Sequence, residues 1–327
     1  MKAFRVSWLL RAVVFAGSFL LALTVGNPKA RSEEPITIVV PFSPSSGPDI
    51  VARGISEPMS QQTGNVVIVE NRTGASGGVG VRFVARAEPN GHTLLMTADP
   101  PFTVNEFLRK EPLYDPLKQF APISELAKGP LVLVVSSSIN VDSVKAFVSY
   151  AQKHSDLNYS SPGIGTPQHL AMEFFKSAAG ISMQHIPFKD ASGATTALLA
   201  GSVSASFLPL PVALPLSRDR VRILGISSAT RVEKAPDIPT LSEQGFPDFE
   251  VYFRIGLLAP AATPADLIQR YSTLTAAIIR SPGLSASIAA LGLEPVGSTP
   301  ADYASVLAAA REKWKKAVSD AKIPPQD

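Results

Sequence analysis

Short runs of β-branched and aliphatic residues recur along the chain, separated by stretches with a helical repeat. Ile36 to Val40, Val66 to Val69 and Leu131 to Val135 are nearly unbroken apolar runs of strand length. Val203 to Phe207 and Val221 to Ile226 carry a weaker form of the same pattern, and Gln184 to Asp190 reads as a strand leading into a loop. Three helices have clear starts. One opens at Thr166-Pro167 and ends near Gly180, with Leu170, Phe174 and Phe175 on one face. Another opens at Thr263-Pro264 and carries Leu267, Ile268, Tyr271, Leu274 and Ile278 at helical spacing; the third runs from Thr299-Pro300 through Leu307 to Trp314. In each, threonine can cap the free amides, and proline sits where its missing N–H costs nothing. Asp266 and Asp302 add negative charge to the first turn. A further helix is expected from Pro48, with Pro58 kinking or ending it. Alternating β and α segments predict an α/β fold of mixed, largely parallel sheets flanked by helices.

The first thirty residues follow another pattern. Lys2, Arg5 and Arg11 precede an apolar run from Ala12 to Gly26, the layout of a secretory leader, so residues 1–30 are expected to be removed on export. The run is shorter than the roughly 20 residues a membrane span needs. No other segment approaches that length, so a soluble periplasmic protein is expected. The chain has no cysteine, which excludes disulfides, thiolate metal sites, cysteine nucleophiles and a lipid anchor on an N-terminal cysteine. The net charge of +3 is small and no basic block is present, so no nucleic-acid partner is expected. His92, His154, His169 and His185 show no metal-ligand spacing, and no metal or cofactor is expected. Roughly 295 residues remain after export, enough for two lobes in a monomer.

Three loops hold the candidate chemistry. Pro41 to Ile50 leaves a strand and enters a helix; its small residues leave room for a ligand near the helix amides, although turn formers alone would explain it. Gly74 to Gly78 matches G-x-S-x-G, the nucleophile elbow of serine hydrolases, with Ser76 at the nucleophile position. An elbow needs serine directly after the strand, whereas Asn71, Arg72 and Thr73 intervene, so a glycine loop or hinge fits better. Asn158 to Leu170 offers the hydroxyls of Ser161 and Thr166, the bends of Gly163 and Gly165, and a helix start. Such a loop suits a carboxylate; Thr166 could equally do no more than cap its helix. Lys189 follows on a loop where it could meet a carboxylate.

Taken in order, several segments resemble the receptor family of tripartite tricarboxylate transporters, the Bug-type receptors. They are Val39-Val40-Pro41-Phe42 with Gly47 and Asp49, Val69 to Arg72 with Gly74, and Pro89 to Met96. Tyr114-Asp115-Pro116, Asn158 to Leu170, His185 to Lys189, Pro236 to Gly245 and Gly256 to Pro260 complete the set. The resemblance covers nearly the whole mature chain. It implies a non-enzymatic, two-lobed binding protein of periplasmic type II, with one lobe at 34–134 plus 256–327 and the other at 135–255. A small organic carboxylate would lie between the lobes and be handed to integral membrane transporter subunits. The implied ligand residues are Phe42, Ser43, Ser46, Asp49, Ser161, Gly163, Gly165, Thr166, Lys189 and Arg254.

The chain departs from that family pattern at four places. Ser45 and Ser46 replace paired glycines, Leu208 and Pro209 replace an acidic position, Thr97 to Phe102 replaces a small polar loop, and Arg254 replaces a tryptophan. Leu208 and Phe102 suggest a more apolar pocket, and Arg254 a second cation for carboxylate pairing. A ligand with an apolar body is therefore expected rather than citrate. Two other roles share these residues: a ligand sensor for a membrane signalling protein, and a secreted hydrolase using Ser76.

Overall fold

The computed structural model describes residues 34–216 and 220–320; the leader expected at 1–30 lies outside the described residues. The chain begins β1 (Ile36–Val40), α1 (Gly47–Thr63), β2 (Val67–Asn71), α2 (Gly78–Ala85), β3 (Thr93–Ala98) and the short α3 (Pro100–Thr103). A long strand β4 (Phe120–Ser136) leads to α4 (Val144–Ala151), β5 (Asn158–Ser161), α5 (Pro167–Ala179), β6 (Gln184–Pro187) and α6 (Ala191–Leu199). Next come β7 (Ala205–Pro209), α7 (Leu210–Leu216), β8 (Val221–Ile226) and β9 (Tyr252–Pro260). The chain closes with α8 (Ala265–Ile279), α9 (Pro282–Ala290), β10 (Glu294–Pro295) and α10 (Pro300–Asp320).

The sheet is mixed. β1 lies parallel to β2 and β3, and β5 lies parallel to β6 and β7. β4 and β9, which join these two groups, pair antiparallel. β4 changes partners along its length: Phe120 to Pro130 faces β9, whereas Leu131 to Ser136 faces β7 and β8. Side chains alternate between the two faces of a strand, so each sheet half buries two separate cores. In the first half Ile36, Ile38, Val40, Leu94 and Met96 face α1, α8 and α9, while Val39, Leu95 and Leu258 face Phe102, Phe120 and Tyr303. In the second half Leu131, Leu133 and Val135 face α4 and α5, while Val132 and Val134 face Leu198, Leu208 and Ala213. α10 serves both halves, placing Tyr303 and Leu307 in one core and Trp314, Ala317 and Val318 in another.

Two local expectations are corrected. Pro58 does not end α1, which runs on to Thr63 and closes on Gly64 in the left-handed region at φ 81°. The proline ring falls opposite the carbonyl of Gly54, and burial of Ile55 and Met59 holds the turns on either side. Thr263 does not cap α8: its Oγ1 is buried without a hydrogen-bond partner among the described residues, and Pro264 takes the capping position. Thr166 and Thr299 do cap, accepting from the amides of His169 and Asp302. Among the described residues no helix is long and apolar enough to cross a membrane.

Candidate functional site

A cavity of about 700 Å³ lies between the two sheet halves. One wall is the β1–α1 loop from Phe42 to Pro48, with Pro100 and Pro101 of α3 and Phe253 of β9 beside it. The facing wall is the β5–α5 loop from Pro162 to Gln168, with Lys189 to Ser192, Pro209 and Val212. The N-termini of α1 and α5 therefore open onto the same space, each presenting amides that have no helical partner.

The β1–α1 loop is held from behind. Ser45 is in the left-handed region at φ 65°, and its amide donates to Asp49 Oδ2 at 2.9 Å. Arg53 donates to both Asp49 oxygens at 3.0 Å, and Asn71 Nδ2 bridges Asp49 Oδ1 and the Phe42 carbonyl. Burial opposes the charge on Asp49, but the hydrogen bonds from Arg53, Asn71 and Ser45 outweigh it and hold the carboxyl below its usual range. Asp49 thus braces the loop and does not line the cavity. Ser46 occupies the capping position of α1 without capping it; its buried Oγ has no partner among the described residues.

The facing loop has its own support. Gly163 and Gly165 take φ values of 128° and 80°, which only glycine adopts without strain. Thr166 Oγ1 donates to the Gly163 carbonyl at 2.8 Å. Ser161 is buried behind the loop, its Oγ accepting from Gly163 N and lying 2.7 Å from His185 Nε2. His169 Nδ1 accepts from Gly165 N, and the His169 and His185 rings stand 4.3 Å apart beside Tyr159. Burial lowers His169 to about 3 and His185 to about 4, so both imidazoles stay neutral and act as fixed supports. Lys189 is exposed at the cavity and forms no ion pair among the described residues.

Of the expected ligand residues, Phe42, Ser43, Ser46, Gly163, Gly165, Thr166 and Lys189 line one cavity, and Asp49 and Ser161 stand behind it. Arg254 is elsewhere. Its Nη1 donates to Glu125 Oε1 at 2.6 Å, its guanidinium lies 4.8 Å from the Tyr252 ring, and its side chain is 17% exposed. Leu208 and Phe102 are also off the wall, buried in separate cores at 4% and 3% exposure. Their neighbours Pro209 and Pro101 line the cavity instead. Phe253, Val212 and Gln168 are cavity residues that the sequence reading missed; only Gln168, second residue of a helix opening on the cavity, carried a usable signal. The Gly74–Gly78 segment lacks the elbow arrangement, because β2 ends at Asn71 and the Ser76 backbone lies in a 3-10 turn, Ala75–Gly77.

A second polar cluster underlies the first wall. Asp99, which precedes α3, is buried with Glu125, Arg254 and Tyr303 around it, and both Asp99 Oδ1 and the Tyr303 hydroxyl lack partners among the described residues. Burial raises Asp99 to about 7, with Arg254 opposing and Glu125 adding to the shift. A carboxyl with a raised folded value holds protons preferentially in the folded chain, so its contribution to stability falls as pH rises from 3.8 to about 7. The melting temperature of Asp99→Asn should therefore gain on the wild type across that window and keep a constant lead above it. A pH series of thermal melts measures this; a lead that does not change with pH would contradict the assignment.

The fold is that of an α/β binding protein of periplasmic type, with a cavity between sheet halves that share one strand. The chain belongs to the family described as "Tripartite tricarboxylate transporter family receptor", whose profile matches residues 51–323. It is 31% identical over 321 residues to a UPF0065 protein in the tcbD-tcbE intergenic region of Pseudomonas sp. strain P51, covering 96% of this chain and 95% of that one. Among solved structures it is similar to R. palustris Rpa4515 with adipate, at 29% identity and TM-score 0.80, covering 89% of this chain and 98% of that one. MatC from Rhodopseudomonas palustris with bound malate aligns at 27% identity and TM-score 0.77, over 87% and 98% of the two chains.

Proposed function

We propose that this chain is a periplasmic receptor that captures a small organic carboxylate in the cavity and delivers it to integral membrane transporter subunits. The observation that carries the reading is the convergence of two helix N-termini and the exposed Lys189 on one cavity of about 700 Å³. Such a site attracts an anion from both sides while leaving room for an organic body. The relatives bound to adipate and malate support the same ligand chemistry. The lobes would be 34–134 plus 256–327 and 135–255, hinged where β4 changes partners and where Val251 leads into β9. Ser227 fastens that crossing: its backbone and hydroxyl bond both Leu131 and Val251. Closure would then present a liganded shape to the transporter.

A thermal-shift panel of mono-, di- and tricarboxylates tests the reading. A ligand at about 100 times its dissociation constant should add roughly 2.7 kcal/mol to stability. Sugars or amines shifting the melt while carboxylates do not would refute it. Lys189→Glu, at an exposed position, should weaken binding about tenfold or more without lowering the melting temperature of the free protein. Undiminished affinity would move the anion site away from this loop.

A further inference from the structure

Among the described residues, the ionisable side chains lining the cavity are two, Lys189 and Asp190. Asp190 is already engaged, because its Oδ1 accepts from Gly193 N at 2.8 Å as the cap of α6. Arg254, the other cation the sequence placed here, is held by Glu125 outside the cavity. A short polyacid brings two or three charges into a small volume, and the lining meets them with one lysine and the amides of two helix starts. The rest of the lining is largely apolar. Phe42, Pro101 and Phe253 face the space from the first sheet half, and Ile164, Pro209 and Val212 from the second. Ile164 and Val212 are 37% and 41% exposed, among the few large hydrophobic side chains left uncovered in the described residues. Apolar surface turned toward a cavity of this size gains most from an apolar occupant.

We propose that the ligand is an acid with one anionic end at Lys189 and the α5 amides, and an apolar body packed between Phe42–Phe253 and Pro209–Val212. The inference rests on the cavity being the carboxylate site. It selects longer aliphatic or aromatic monoacids over malate- or citrate-like polyacids. Leu208 and Phe102 do not carry it; the prolines beside them and Phe253 do.

Calorimetry of the purified protein with acetate, butanoate, hexanoate, octanoate, benzoate, malate and citrate tests the proposal. Affinity should climb through the aliphatic series by up to about fourfold per methylene until the cavity is filled. Val212→Ser should weaken octanoate several-fold more than acetate, a pattern that misfolding would not give. Malate or citrate binding more tightly than every apolar-bodied acid overturns this inference and leaves the carboxylate receptor standing. A flat aliphatic series also overturns it. Binding by none of the acids overturns both.

Discussion

Arg254→Ala is expected to cost about 3–5 kcal/mol of stability near neutral pH, the range for removing one partner of a buried ion pair. The substitution leaves Glu125, 3% exposed, and Asp99, 5% exposed, without the guanidinium between them. Arg254 opposes the upward shift of Asp99, so its loss raises that carboxyl further. The defect should therefore shrink in acid, where Asp99 can take up a proton, and Glu125→Gln in the same background should restore part of the loss. Denaturant titrations at two pH values would measure it. A variant as stable as the wild type at pH 8 would mean that the pair is dispensable. Because Arg254 lies outside the cavity, carboxylate affinity of the folded variant should be unchanged.

Gly256→Ala should be of similar size. A Cβ there would lie 2.0 Å from the Tyr303 hydroxyl and 2.2 Å from its Cζ, in a core where Tyr303 is fully buried. Neither β9 nor α10 can yield without disturbing other packing, so a loss of about 3 kcal/mol or more is expected, at the upper end for overpacked cores. Gly283→Ala is the control. It sits in α9 with nothing within 4 Å of the new Cβ, and alanine there should add about 0.5–1 kcal/mol through helix propensity alone. A Gly256→Ala variant melting with the wild type would show that Tyr303 has room to move.

What the sequence made legible follows the strength of local signals. β1, β2, β8 and the second half of β4 are apolar runs, and each was expected close to where it lies. The first half of β4 was not, because Pro122, Glu125, Lys128, Gly129 and Pro130 break the alternation and the ladder shifts register twice against β9. β5 reads as loop in the sequence because Asn158-Tyr159-Ser160-Ser161 looks polar. Its serines are buried, and the Ser160 hydroxyl finds a partner in the Ala194 carbonyl. Loop chemistry was the clearer signal at the site, and seven of the ten named residues line one cavity. Arg254 failed because its partner Glu125 is 129 residues away in sequence. Leu208 failed on parity: opposite Val132 in the ladder, it shares the face that packs on Val132 and Leu198, and the next residue reaches the cavity.

The helix α10 that serves both sheet halves has an optical consequence. The chain has two tryptophans, Trp8 within the first thirty residues and Trp314 near the end of α10. A chain lacking residues 1–30 therefore has a single indole fluorophore, seated where α10 docks on the second half with its ring 6.3 Å from that of Phe174. Seven residues earlier, about 10 Å along the helix, Leu307 is anchored in the first half. A swivel of one half against the other would load α10 at both anchors, so the emission of that indole is the signal to follow when a carboxylate is added.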